Sequence, residues 1–214
     1  MRLDHVSYVA SHDQISDVVN RIGYQIGTAF IDGGMHPKFG TRNFTAPLLN
    51  GQYIEVVCPM DHPATDVTPF GKLVKQKAED GGGWLTWVVR TEKINEVELR
   101  LDRQAIEGNR RTPSGTELKW KQIGILTTLT QPSKPFFVEW LVSEHPSKTS
   151  KPNTGITKII FNAEKSEINN WLGADVNKVL GKIETEWVMN ENHSQQTGIL
   201  EIEFNNNGQT VIIN

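Results

Sequence analysis

Cysteine is nearly missing from this chain: one residue, Cys58, stands in 214, which excludes an intrachain disulfide and any Cys-rich metal site. Because it lies inside an apolar run, it reads as core rather than as a nucleophile. Long hydrophobic runs are missing too. Nothing approaches the eighteen or so apolar residues of a membrane helix, so no spanning segment is expected. Neither charge is in excess, with 22 Lys and Arg against 25 Asp and Glu and a net charge of -3. That balance gives no electrostatic footprint for nucleic acid or an acidic membrane. The opening Met1–His5 lacks the basic, apolar and small-residue order of a signal peptide, and cytoplasm is the expected compartment. There is also no Gly-rich phosphate loop, no Ser-His-Asp order and no Cys–His pair with a reason behind it.

What is present is a repeat. Tyr53-Ile54-Glu55-Val56-Val57-Cys58-Pro59-Met60-Asp61-His62-Pro63 returns, one residue shorter, as Phe137-Val138-Glu139-Trp140-Leu141-Val142-Ser143-Glu144-His145-Pro146. β-branched and aromatic residues dominate both runs and each stops at a Pro-containing turn, so both read as strands. A mid-strand glutamate among apolar residues is costly to bury unpaired. Two equivalent strands in a duplicated architecture can bring Glu55 and Glu139 to face one cavity.

Read in order, the pattern predicts a strand over 3–10 and a helix carrying Ile15, Val18, Val19 and Ile22 that stops at Gly23. Strands follow over 24–30 and 41–48, separated by a turn region from Gly33 to Gly40, and an Asn50-Gly51 hairpin leads into the Glu55 strand. Thr68-Pro69 opens a short helix with Phe70, Leu73, Val74 and Ala78. Gly81-Gly82-Gly83 is the clearest punctuation, and the same order restarts after it. The restart comprises strand 84–90, a helix with Ile94, Val97 and Leu101, strands over 105–110 and 117–126, and the Glu139 strand. A thinner third copy follows from 156 onward, with one helix running from about 163 to 180, a turn over His193–Gly198 and Glu201 echoing Glu55. The expected architecture is therefore α+β. It has βαβββ units over 1–80 and 81–150, which should superpose through residues 3–59 and 84–142, and a degenerate third unit over 151–214 that carries no part of the site.

Leu3-Asp4-His5-Val6, His36-Pro37 with Gly40-Thr41-Arg42-Asn43, Tyr53-Ile54-Glu55 and Pro135-Phe136-Phe137-Val138-Glu139-Trp140 together resemble the glyoxalase-like domain family of the vicinal-oxygen-chelate superfamily. The resemblance implies paired modules folding their sheets into a cup, with a divalent metal at its floor in the catalytic members. It implies His5, Glu55 and Glu139 as metal ligands for Zn, Ni, Mn or Fe, with the two glutamates as the catalytic carboxylates. The fourth ligand position falls on Leu85 or Thr86, neither of which is a good donor. His36, Arg42 and Asn43 are the expected substrate contacts near the mouth, although each can equally fix its turn. His62 and His145 read as structural, His193 as solvated, and the tryptophans as core with one or two lining a pocket. Two functions stay open beside a plainer one, an interaction protein in which the third unit serves as a docking surface. One is a metal-assisted lyase or isomerase acting on a small carbonyl or oxygenated compound; the other is a metal-free protein that sequesters a small molecule in the same cup, a cationic ligand or Arg42 neutralising the carboxylates. The expected partner is a small-molecule ligand, with a homodimer left open.

Overall fold

The computed structural model describes residues 1–189 and 197–214; His193 lies outside the described residues. The first half runs β1 (Arg2–Val9), α1 (Ile15–Ile26), β2 (Ile31–His36), β3 (Thr41–Leu48) and β4 (Gln52–Pro59). Two helices, α2 (Pro63–Val67) and α3 (Pro69–Glu79), bridge to the second half, which comprises β5 (Gly83–Arg90), α4 (Ile94–Leu101), β6 (Ile106–Arg111), β7 (Glu117–Ile123), α5 (Ile125–Thr130) and β8 (Phe136–Trp140). The eight strands close into a barrel in the order β1-β4-β3-β2-β6-β7-β8-β5. In each half the first strand pairs in parallel with the fourth, β1 with β4 and β5 with β8. The two seams between halves differ. β1 and β5 pair from Arg2 opposite Arg90 to Val9 opposite Gly83, whereas β2 and β6 are joined at Met35–Arg111.

Local chemistry corrects three boundaries. Helix α1 runs past Gly23 and ends at Gly27, whose φ of 64° lets its N–H turn back to the carbonyls of Gly23 and Tyr24. Tyr24, expected to open a strand, is therefore on the helix and 90% exposed. The second strand begins at Ile31 and takes in Gly33, Gly34, Met35 and His36, leaving the turn to residues 37–40. Strand β7 stops at Ile123, and Gly124 leads into α5 instead of three more strand residues.

The third unit comprises β9 (Thr154–Asn162), α6 (Lys165–Leu172), α7 (Val176–Leu180), β10 (Glu184–Val188), β11 (Gly198–Asn206) and β12 (Gln209–Ile213). The expected single helix breaks at Gly173, and Asp175 caps the second piece by accepting from the Asn177 N–H. Its elements follow the βαβββ order, but the sheet order is β10-β9-β11-β12, so the first strand pairs with the second and not with the fourth. This sheet covers the outside of the barrel, with Trp87 against Phe161 and the Trp84 indole N–H donating to the Ile213 carbonyl at 2.9 Å. Trp87, Phe137, Phe161 and Phe204 are all fully buried there, each contributing about 1.5–3 kcal/mol on burial. A second, smaller apolar cluster fills the barrel interior with Val9, Phe39, Val57, Phe70, Val88 and Phe136. The candidate site lies in that interior.

Candidate functional site

Alternation along β4 and β3 aims Tyr53, Glu55 and Asn43 into the barrel. Glu55 is 6% exposed, and both its oxygens are engaged. Oε1 accepts from Asn43 Nδ2 at 2.5 Å and Oε2 accepts from the Ser7 hydroxyl at 2.8 Å. Burial alone would push the Glu55 carboxyl up; His5 and His36, with the Asn43 and Ser7 hydrogen bonds, hold it below the usual carboxylate range. It is thus a carboxylate at neutral pH.

His5 stacks on Tyr53 with ring centroids 4.3 Å apart, and its Nε2 lies 3.8 Å from Glu55 Oε2. A bulge in β1 between Leu3 and His5 turns Asp4 to the same side as His5. Asp4 is fully buried and accepts from His5 Nδ1 at 2.9 Å, from His145 Nε2 at 3.0 Å and from the Trp140 indole at 3.3 Å. Burial acts to raise its pKa, but the two histidine hydrogen bonds win and drive it well below the usual range. An ionised carboxylate can only accept, so the proton in the Asp4–His5 bond sits on Nδ1. His5 Nε2 then carries a lone pair towards the cavity when the ring is neutral.

The second half supplies a cation. Arg110 on β6 is 4% exposed and its Nη1 donates to Asn43 Oδ1 across the thin seam between the halves. Gly33 makes this approach feasible, since a Cβ there would overlap both Arg110 Nη1 and Asn43 Oδ1. Burial pulls the guanidinium pKa down, opposed by Tyr53, Glu55 and Asp32; an arginine remains charged through such a shift. His36 hydrogen-bonds Thr41 Oγ1 through Nδ1 at 3.0 Å, and burial, then the Arg110 charge, lowers its pKa to about 4. Gln122 completes the wall. An indole N–H only donates, so the atom 2.7 Å from Trp120 Nε1 is the amide oxygen. That leaves Gln122 Nε2 buried and without a partner, at a net cost of about 1–3 kcal/mol.

The cavity enclosed by these groups holds about 40 Å³ and is otherwise walled by Phe39, Phe70, Phe136, Val138 and Trp140. That is space for about three waters. Every lining residue lies between His5 and Trp140. Of the residues expected at the site, His5, Glu55, His36 and Asn43 meet here. Glu139 does not. It sits between Val138 and Trp140, which both face the cavity, and so it points to the other side of β8, opposite Lys121 in register. Arg42 also points away, paired with Asp32 and lying over Phe44. Ser7, Asp4, Arg110, Gln122 and His145 were not anticipated.

A divalent ion does not fit this donor set. Among the described residues, no three His, Cys, Asp or Glu side chains form a metal shell. Of the two residues expected at the fourth position, Thr86 donates to the Trp87 carbonyl and Leu85 joins the apolar cluster. The charge balance a metal would supply to Glu55 is provided in part by Arg110.

Two βαβββ halves with parallel first and fourth strands, closing eight strands around a buried polar cavity, define a protein of the vicinal-oxygen-chelate superfamily. The chain belongs to its glyoxalase-like domain family, whose model matches residues 3–175. No curated protein sequence matches it. In fold it is similar to a hypothetical protein from Staphylococcus aureus, with a TM-score of 0.59 at 18% identity, covering 99% of this chain and 84% of that one. Lower similarity links it to methylmalonyl-CoA epimerase from Mycobacterium tuberculosis, with a TM-score of 0.43 at 13% identity over 65% of this chain and 86% of that one. A methylmalonyl-CoA epimerase in complex with methylmalonyl-CoA and NH4+ gives 0.45 at 14% identity over 68% and 98%.

Proposed function

We propose that this chain binds a small anionic carbonyl compound, of the α-keto acid type, and moves a proton on the carbon beside the carbonyl without a metal ion. The observation that carries this reading is the placement of His5, whose Nδ1–H is held by ionised Asp4 and whose ring lines the cavity with Nε2 3.8 Å from Glu55. An imidazole held in this way is a general base. Arg110 offsets one of the two buried carboxylates, Asp4 and Glu55, and a proton arriving on His5 offsets the other.

The substrate carboxylate pairs with the Arg110 guanidinium, and its carbonyl oxygen accepts from the unpartnered Gln122 amide. The adjacent C–H bond breaks, its proton passes to His5 Nε2 and the electron pair moves onto the carbonyl oxygen. Gln122 and Arg110 stabilise the resulting enolate, as fixed donors do where charge develops. Glu55, 3.8 Å from His5 Nε2, stabilises the imidazolium. Return of the proton to either face or to a neighbouring atom gives epimerisation, isomerisation or exchange.

The test is proton NMR of pyruvate in D2O, with the protein present and EDTA added. Methyl deuteration above background is expected from the wild type and at background from His5→Gln. Exchange that vanishes with EDTA and returns with Zn²⁺ or Mn²⁺ overturns the metal-free reading. Saturable binding without exchange leaves a sequestering cup in its place.

A further inference from the structure

Beside the 40 Å³ cavity lies a second space of about 440 Å³, and the two share Phe39, Phe70 and Gln122 as a common wall. Pro69, Ile123, Ile125, Ile106 and Leu126 form most of its remaining lining. Ile106 and Leu126 are 53% and 60% exposed, so two large apolar side chains face solvent beside an apolar groove, an arrangement that marks a binding surface. The Arg103 guanidinium at the rim is engaged, donating to Thr127 Oγ1 at 2.7 Å. The groove is therefore poor in free charge, while the inner cavity holds a charged and hydrogen-bonding set. The Gln122 amide that lacks a partner sits where the two spaces meet.

We infer that the groove is the seat of an aliphatic tail on the same substrate, whose keto-acid head occupies the inner cavity. The inference rests on the head-group reading above and adds the class of molecule. The inner cavity is small, so the tail of a larger substrate has to leave it, and the space that shares its Phe39, Phe70 and Gln122 wall is lined mainly by apolar side chains. The rings of Phe39 and Phe70 meet edge to face with centroids 5.8 Å apart, and both line the inner cavity and the groove. An aliphatic chain fits the lining, because burial of each methylene against apolar walls adds binding energy without requiring a polar partner.

The experiment is a calorimetric binding series with pyruvate, α-ketobutyrate, α-ketohexanoate and α-ketooctanoate on wild type, Leu126→Glu and Ile106→Glu. Both positions are exposed, so neither variant threatens the fold. Affinity should rise about fourfold per added methylene on wild type. Both variants should lose that rise while binding pyruvate as the wild type does. A flat series on the wild type, or a rise that survives in both variants, overturns the groove assignment; methyl exchange of pyruvate then leaves the head-group chemistry standing. A rise with chain length and no exchange in any acid keeps the groove and removes the chemistry. Failure of every acid to bind overturns both.

Discussion

Strands β4 and β8 carry nearly the same residue pattern and present opposite faces of it to the cavity. In β4 the inward residues are Tyr53 and Glu55; in β8 they are Phe136, Val138 and Trp140, with Glu139 turned out. The pairing partners locate the slip. Tyr53 lies opposite His5 of its parallel neighbour, while Phe136, one residue before the aromatic that matches Tyr53 in the repeat, lies opposite Val88. A one-residue offset in a strand moves every side chain to the other face. The lesson is that a repeat aligned by residue type fixes which segments are strands and leaves their facing open by one position. The second half contributes a cation and an amide to the cavity where a second carboxylate was expected.

The offset can be broken directly. Val138→Glu places a carboxylate on the inward side of β8 among apolar side chains, near Glu55. It should cost about 4 kcal/mol in chemical denaturation, because an unpaired buried charge faces a like charge. Glu139→Val, on the outward side, should change stability by no more than about half a kcal/mol. A divalent-metal thermal response gained in Val138→Glu and absent in the wild type would sharpen the comparison further. Equal losses in the two variants would refute the facing assigned to β8.

The halves should also differ in how they respond to acid. The first half contributes His36, whose pKa is lowered from 6.5 to about 4, whereas Arg110 from the second half stays charged. The unfolded chain protonates His36 as pH drops below 6.5, but the folded chain resists until about 4. Stability is thus complete above 6.5 and is lost progressively towards pH 4, by about 3 kcal/mol in total. Glu55 contributes in the same direction only lower down, as pH falls through and below 4.5. Urea midpoints between pH 7 and pH 4.5 should therefore slope downward in the wild type and flatten in His36→Gln; an unchanged slope in that variant would count against a buried neutral His36.

On the chemistry, Glu55→Gln should slow the proposed pyruvate exchange by about a hundredfold, the scale of a lost charge next to a reacting base. Glu139→Gln should leave the rate within about twofold. The two His-Pro turns give the smallest contrast. His62 and His145 each accept a backbone N–H two residues on, from Ala64 at 3.1 Å and Ser147 at 3.2 Å, but His145 also donates to Asp4. His62→Ala should cost about 1 kcal/mol as a lost cap and His145→Ala about 2 kcal/mol, the excess coming from the Asp4 hydrogen bond. Equal values would mean that Asp4 is satisfied without His145.

Strand positions were legible where period-two alternation was strong, and so was the cluster of His5, His36, Asn43 and Glu55. Gln122 was missed although a signal for it exists, since Leu118, Trp120 and Gln122 alternate with outward Lys119 and Lys121. Asp4 was not legible, because the β1 bulge that turns it inward leaves no mark in the residue pattern. Arg110 sits in the polar run Asn109-Arg110-Arg111, and its burial depends on Gly33 in another strand. The continuation of α1 past Gly23 was hidden because glycine at that position signals a stop, although a Cβ there would press on the Thr28 carbonyl at 3.1 Å, so the residue serves close packing instead.

The contrast between the two barrel seams bears on how such a site is held together. Neither half owns a complete set of working groups. The proposed base, His5, and the carboxylates Asp4 and Glu55 come from residues before the Gly81-Gly82-Gly83 punctuation, and the guanidinium and amide come from residues after it. Two similar folds thus carry unlike parts, and the set is complete only where the halves face one another. The bond from Asn43 to Arg110 is where the two sets meet, so a substitution on one side of it is felt by the other.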